Sequence, residues 1–206
     1  FASDSYNKFL FVKKHLKKKS KILDFGCGLG DFLSLSKKEG FDVFGYDPSN
    51  YASAYIFKKY KIRIITSKLK KDLFKEEFFD CIVTFDVIEH IWDFKKVLTL
   101  LSGWLKLGGK LFITTPNLES WDAKLLGSHW YGFKKIPEHI SYFSPISIEK
   151  VLTESGFSDV RILRWGFKRN LSFLLGKALG ISKLPKFLKE FSFFVPGIDM
   201  MVIASR

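Results

Sequence analysis

The stretch Lys21-Ile-Leu-Asp-Phe-Gly-Cys-Gly-Leu-Gly-Asp-Phe-Leu33 constrains this chain more than any other. An apolar run of Ile22, Leu23 and Phe25 meets three glycines at alternate positions, Gly26, Gly28 and Gly30, and a helical pattern starts at Phe32 and Leu33. A buried parallel strand that runs into a tight loop and then a helix has this form. The glycines let the backbone turn sharply and approach a ligand with no Cβ in the way. The helix beyond offers free N–H groups and the positive end of its dipole.

The spacing narrows the ligand. A dinucleotide fingerprint reads G-x-G-x-x-G, whereas the third glycine here comes one residue early. Asp24 and Asp31 bracket the loop, and carboxylates suit a cationic ligand better than a pyrophosphate. A second strand, Val43-Phe-Gly-Tyr-Asp47, ends in an acid placed to grip a ribose diol. Together these features resemble the class I S-adenosylmethionine-dependent methyltransferases.

At 206 residues the chain reads as one domain, and its 47% hydrophobic and 17% aromatic content excludes disorder. No apolar run reaches the roughly 18 residues of a spanning helix. The chain opens on Phe1-Ala-Ser-Asp, with no Met and no secretory leader pattern, and reads as a trimmed piece of a cytoplasmic protein. Cys27 and Cys81 have neither metal spacing nor a disulfide framework, and Cys27 reads as a small loop residue rather than a nucleophile. The net charge of +13 invites a nucleic-acid or anionic-membrane partner, but its lysines are scattered, which favours a Lys-rich composition and no nucleic acid.

Residues 5–17 place Phe9, Val12 and Leu16 on one helical face; Tyr6 suits a lid or a packing role equally. Strands are expected at 41–46, 62–65, 79–86 and, after the Gly108-Gly109 turn, up to Thr115. Helices fall between them, one of them carrying Val97, Leu98, Leu101 and Leu105. Such alternation means a doubly wound parallel sheet. A helix at 147–156 and strands at 159–165 and 198–204 follow. Segments 117–143 and 166–196 read as substrate-side insertions.

Phe79-Asp80 followed by Ile82-Val-Thr-Phe-Asp86-Val-Ile-Glu-His90-Ile resembles the strand-four motif of the same family. Ligands bind outside the carboxyl ends of such strands. Pro137-Glu138-His139-Ile-Ser-Tyr-Phe143-Ser144-Pro145 and Ser155-Gly156-Phe157 narrow the resemblance to the methyltransferase type 11/12 or domain-family-23 branch, which includes ubiquinone-pathway O-methyltransferases. The resemblance implies a Rossmann-like, seven-stranded, mostly parallel sheet whose last strand is antiparallel. It implies S-adenosyl-L-methionine as cofactor, S-adenosyl-L-homocysteine as product, and methyl transfer to a small-molecule oxygen acceptor such as a quinone precursor, a sugar or a lipid-linked glycan intermediate. By position, Asp24, Gly26, Cys27, Gly28, Gly30, Tyr46, Asp47, Pro48, Phe85 and Asp86 border the cofactor. Where the family often has an acid for the adenine amino group, Ser67-Lys68-Leu69 stand here.

His139 is the first candidate for a general base, because it lies in the segment expected to cap the substrate. A histidine bonded to a loop carbonyl is the competing reading. His90 comes second and His129 third, and Trp121, Trp130, Tyr131 and Tyr142 are candidate pocket walls. Glu89 and His90 alone make no metal site, since no third ligand can be named.

A nucleic-acid methyltransferase is the alternative that would use the charge, but no Asn/Asp-Pro-Pro-Tyr/Phe motif is present. A nicotinamide oxidoreductase fails at the glycine spacing, and a non-catalytic cofactor-binding module is disfavoured by the intact loop and Asp47. From Arg161 onward nine basic residues face two acidic ones. Phe173, Leu174, Lys177, Ala178, Phe187, Leu188, Phe191 and Phe194 within 167–195 suit peripheral contact with an anionic membrane or, alternatively, closure of a pocket or a dimer interface. A monomer or a homodimer is expected.

Overall fold

The structure, a computed structural model, describes residues 2–130, 132–135, 137–170 and 192–206. Its elements are α1 (Ala2–Lys13), β1 (Lys21–Phe25), α2 (Asp31–Lys38), β2 (Asp42–Tyr46), α3 (Asn50–Tyr60), β3 (Phe79–Phe85), α4 (Phe94–Trp104), β4 (Leu105–Pro116), α5 (Trp121–Leu126), α6 (Pro145–Glu154), β5 (Ser158–Asn170) and β6 (Ser192–Ser205). The strands form one six-stranded sheet in the order β2-β1-β3-β4-β6-β5. β1 to β4 are mutually parallel, and β6 runs antiparallel to both of its neighbours, as expected of the last strand.

Alternation along the central strands assigns each helix its side. Leu23, Phe25, Ile82, Leu111 and Ile113 point to one face, where α4 and α6 cover them with Val97, Leu98, Leu101, Trp104, Ile148 and Leu152. Ile22, Cys81, Val83 and Phe112 point to the other, where α1 and α2 supply Phe9, Val12 and Phe32. Both cysteines are buried free thiols. Ser144 and Ser147 form a capping box ahead of Pro145, which explains where α6 begins.

Four expectations shift. The last two strands, expected at 159–165 and 198–204, run over Ser158–Asn170 and Ser192–Ser205. The seventh strand, at 62–65, is reduced to a bridge between Tyr46 and Ile65, because Ile62 and Ile64 pack with Leu33 and Ile56 beneath α3. Leu105 belongs to β4, which starts directly after Trp104, so the glycine pair lies within a long strand. The first helix ends at Lys13, and a turn bonded from His15 N–H to the Val12 carbonyl leads on. Residues 171–191, which hold most of the expected membrane segment, and Tyr131 lie outside the described residues. Among the described residues, no helix is long and apolar enough to cross a membrane.

Trp104 joins these layers. It is 1% exposed, its indole N–H donates to the Lys71 carbonyl at 3.0 Å, and Phe74 meets its ring edge-on at 5.1 Å. Trp104→Ala is expected to cost about 3–5 kcal/mol, read as a lowered urea midpoint with unchanged slope; a loss under about 1 kcal/mol would contradict this packing.

Candidate active site

The glycine loop is stitched across the carboxyl ends of two strands. The N–H groups of Gly26 and Cys27 both donate to the Tyr46 carbonyl, at 2.7 and 3.1 Å. Gly28 N–H donates to Asp47 Oδ2 at 2.9 Å, and Ser49 N–H donates to Asp47 Oδ1 at 2.9 Å. Ser49 also caps α3. The three glycines differ in purpose. All have positive φ, but a Cβ on Gly26 would strike Val87 and one on Gly30 would strike Ile56, whereas one on Gly28 meets nothing within 4 Å. Gly28 therefore faces open space beside the Asp47 carboxylate, whose remaining lone pairs are free to accept from a diol.

Of the two acids that bracket the loop, only Asp24 belongs to the site. Asp31 accepts a hydrogen bond from Tyr60 at 3.0 Å and tethers α3 to α2. Asp24 is 4% exposed. Burial first, then Asp47, push its carboxyl up to about 8, against the pull of Lys8. Burial also raises the Cys27 thiol, which makes it inert as a nucleophile. Tyr46 stacks on Phe25 at 4.9 Å, and Pro48 is exposed just beyond Asp47.

Across the loop, Asp86 leaves the end of β3 with φ 57, a left-handed conformation that Asp tolerates. Its N–H donates to the Thr114 carbonyl at 2.9 Å, and its Oδ1 accepts from the Thr114 hydroxyl. Phe85 packs on Phe32 at 5.3 Å. Over this corner lies Lys8, a residue that the sequence did not single out. Its ammonium pairs with Asp86 at 2.8 Å and with Asp4 at 3.0 Å, and it sits 5.2 Å from the Phe85 ring. Burial works against its charge, but Asp86 and Asp4 outweigh it and hold the lysine above its usual range. Tyr6, two residues away and so on the other side of α1, is half exposed. A usable signal existed: Asp4 and Lys8 stand four apart, and Lys8 adjoins apolar Phe9.

The two Glu-His pairs are sewn together. Ile140 N–H and Ser141 N–H donate to the Glu89 carbonyl, and His90 Nδ1–H donates to the Glu138 carbonyl at 2.7 Å. The His90 and His139 rings meet edge-on at 4.8 Å. Glu89 is 2% exposed and accepts from the Thr115 hydroxyl at 3.1 Å; burial and Asp86 push it up to about 8. His139 is 3% exposed, with Nδ1 unpartnered. The fold thus supplies the third donor that the sequence could not name: one atom each from Glu89, His90 and His139 lie within 4.8 Å of one another. The three side chains form a mostly buried cluster with the chemistry to hold a proton or a metal ion.

The remaining candidates divide. Trp130 is buried, donates to Asp122 at 3.0 Å and packs with Phe133, which itself meets Tyr142. It forms a small core of the 117–143 segment rather than an open pocket wall. His129 is exposed, with Ser128 beside its ring. Trp121 is half exposed and lines a cavity of about 440 Å³ with Asn117, Glu119, Arg164 and Met200, beyond the carboxyl end of β4.

The profile of the methyltransferase-domain family matches residues 1–162. The human mitochondrial ubiquinone biosynthesis O-methyltransferase is 34% identical over 107 residues, covering 47% of this chain and 29% of that protein. The chain spans between 29% and 64% of the lengths of eight curated relatives, that protein among them. A solved S-adenosylmethionine-dependent methyltransferase from Archaeoglobus fulgidus superposes with a TM-score of 0.74 at 19% identity, covering 100% of this chain and 95% of that one. A Haemonchus contortus phosphoethanolamine N-methyltransferase solved with S-adenosyl-L-methionine gives a TM-score of 0.61 at 20% identity, covering 98% and 52%. The glycine loop, with Gly28 open beside the Asp47 carboxylate, fits a ligand with a ribose diol. The chain belongs to the methyltransferase-domain family of class I S-adenosylmethionine-dependent methyltransferases.

Proposed function

We propose that this protein transfers a methyl group from S-adenosylmethionine to a hydroxyl of a small molecule, with a quinone precursor, a sugar or a lipid-linked glycan intermediate as the acceptor classes. The observation that carries the oxygen acceptor is the buried imidazole of His139, set against Glu89. Burial first, then Lys135 and His90, lower its pKa to about 4, against Glu138 and Asp86. The ring is therefore neutral near pH 7 and offers a nitrogen lone pair to a hydroxyl, although the same burial makes it a weaker base than free imidazole. The name of the human relative, an O-methyltransferase, supports the same choice.

The cofactor supplies an already activated sulfonium methyl. What the chain contributes is grip, alignment and proton handling. Asp47, held by the Gly28 N–H, takes the ribose side, Asp24, Gly26 and Phe85 border the methionine part, and Lys8 meets its carboxylate. Cys27, Gly30, Tyr46 and Pro48 hold the loop and strand ends in place. Asp86 holds Lys8 at this corner, and His90 and the Glu89 carbonyl fix the segment that presents His139. His139 takes the hydroxyl proton as the carbon–oxygen bond forms and the methyl–sulfur bond breaks, leaving S-adenosylhomocysteine. The cavity beside Trp121 and Arg164, on the same carboxyl side of the sheet, admits the acceptor.

Methyl transfer from radiolabelled S-adenosylmethionine to a panel of catechols and hydroxylated acceptors tests this reading. His139→Asn should lower kcat about 10²- to 10⁴-fold while leaving S-adenosylhomocysteine affinity within about threefold. Unchanged kcat would remove His139 as the base, and no transfer to any hydroxyl acceptor would remove the oxygen reading.

The same site makes a prediction about pH. Asp24 is protonated in the fold up to about pH 8 but ionises near 3.8 when unfolded. Between these values the native state binds the extra proton, so the cofactor-free protein loses stability as pH rises, and the loss is complete above the folded pKa. Urea midpoints at about pH 5 and pH 8 should show this fall, with Asp24→Asn falling less than the parent. An equal fall in both would contradict the buried, protonated Asp24.

A further inference from the structure

The charge of this protein is not evenly scattered once it is folded. Residues 48–71 hold seven cations, Lys58, Lys59, Lys61, Arg63, Lys68, Lys70 and Lys71, and no Asp or Glu. All seven are exposed. Lys71 pairs with Glu76 at 3.1 Å; among the described residues, the other six have no carboxylate partner. Three of them lie over aromatic rings instead. Lys59 sits 5.1 Å from the Tyr55 ring and 4.9 Å from Tyr60, and Arg63 and Lys61 sit 4.8 and 5.7 Å from Phe57.

The aromatics are themselves unusual. Tyr51 is 74% exposed and Phe57 43% exposed, and Tyr51 lies near-parallel to Tyr55 with centroids 6.5 Å apart. Tyr51, Tyr55 and Lys59 follow one another at four-residue steps along one stripe of α3. Asn50, Ala54 and Phe57 form the neighbouring stripe. Against that second stripe, Arg63 and Ile64 enclose a groove of about 360 Å³, also lined by Asn50, Ser53, Ala54 and Phe57. The groove offers a flat apolar wall, a guanidinium and two side chains able to hydrogen-bond, at a volume within the range of small-ligand sites.

We propose that this face of α3 and the start of the segment after it bind single-stranded nucleic acid, with one base stacked on Tyr51, another held in the groove beside Phe57 and Arg63, and the phosphates met by Lys58, Lys59 and Lys61. A positive groove that tracks a backbone beside exposed rings is the general form of such sites. A duplex hides its base faces and would leave the rings unused. Protection of an open sheet edge accounts for Lys61 and Arg63 beside the 62–65 segment. It does not account for Tyr51, Lys58 and Lys59 on the outer side of the helix. The face adjoins the cofactor corner, since Asp47 and Ser49 precede the first turn of α3, but it lies away from the reacting end: it covers the β2 edge, whereas Asp86 and Glu89 follow β3, two strand positions or about 10 Å across the sheet.

Fluorescence anisotropy of a labelled twelve-nucleotide oligouridine or oligothymidine with the intact protein, between about 50 and 200 mM salt, tests the proposal. Binding should weaken with salt with a log–log slope of about −2 to −3, near −0.7 per phosphate met. Lys58→Glu with Lys59→Glu should weaken it at least tenfold and flatten the slope. Tyr51→Ala should weaken it severalfold at unchanged slope. Lys17→Glu with Lys18→Glu, the same charge change on another exposed stretch, should change it less than threefold. Each variant should keep the thermal shift given by S-adenosylhomocysteine, which separates lost binding from lost folding. The proposal is overturned by absent binding, by equal loss in the two charge-reversed proteins, by duplex of the same length binding as tightly, or by anionic vesicles alone being bound.

Discussion

Three backbone N–H groups, those of Gly26, Cys27 and Gly28, end on the Tyr46 carbonyl and the Asp47 carboxylate, and the site depends on that stitch. Parallel strands leave their carboxyl ends with unpaired carbonyls, and a loop that turns back across two of them must present donors at short range. Only residues that accept positive φ allow it, and Gly26, Gly28 and Gly30 all have positive φ. Once the stitch is made, α2 starts at a fixed place, Asp47 is held by two N–H groups, and Ser49 caps α3. The cofactor corner is thus largely built by the backbone before any ligand arrives.

The electrostatics add a second layer. Asp24, Asp86 and Glu89 surround the end of β1 and β3 with carboxyl groups, and burial pushes Asp24 and Glu89 up to about 8. Lys8 is the counterweight, an ammonium 4% exposed and shared between Asp4 and Asp86. A buried charge persists only when paired, so α1 is bound to the site by chemistry as well as by Phe9 and Val12.

Much of this was legible in the sequence because it is local. Glycine spacing, the acid ending the second strand and the alternation of strands with helices are each written within a few consecutive residues. What escaped is non-local. Lys8 reaches Asp86 across 78 residues, and nothing in the helix pattern says which carboxylate it will meet. His139 joins Glu89 only because residues 138–141 fold back onto the 89–90 segment. The seventh strand failed for another reason: an Ile-rich run satisfies a strand pattern and a buried packing pattern equally, and here Leu33 and Ile56 won Ile62 and Ile64.

Calorimetric titration with S-adenosylhomocysteine and adenosine, on the parent protein, Asp47→Ala and Lys8→Met, tests the account most directly. The account predicts one site on the parent, with both ligands weakened by Asp47→Ala. Lys8→Met should weaken S-adenosylhomocysteine about tenfold or more, the scale of one lost charge-assisted hydrogen bond, and leave adenosine unchanged because it has no carboxylate. Absent binding, or equal affinity of S-adenosylhomocysteine for all three proteins, would contradict it.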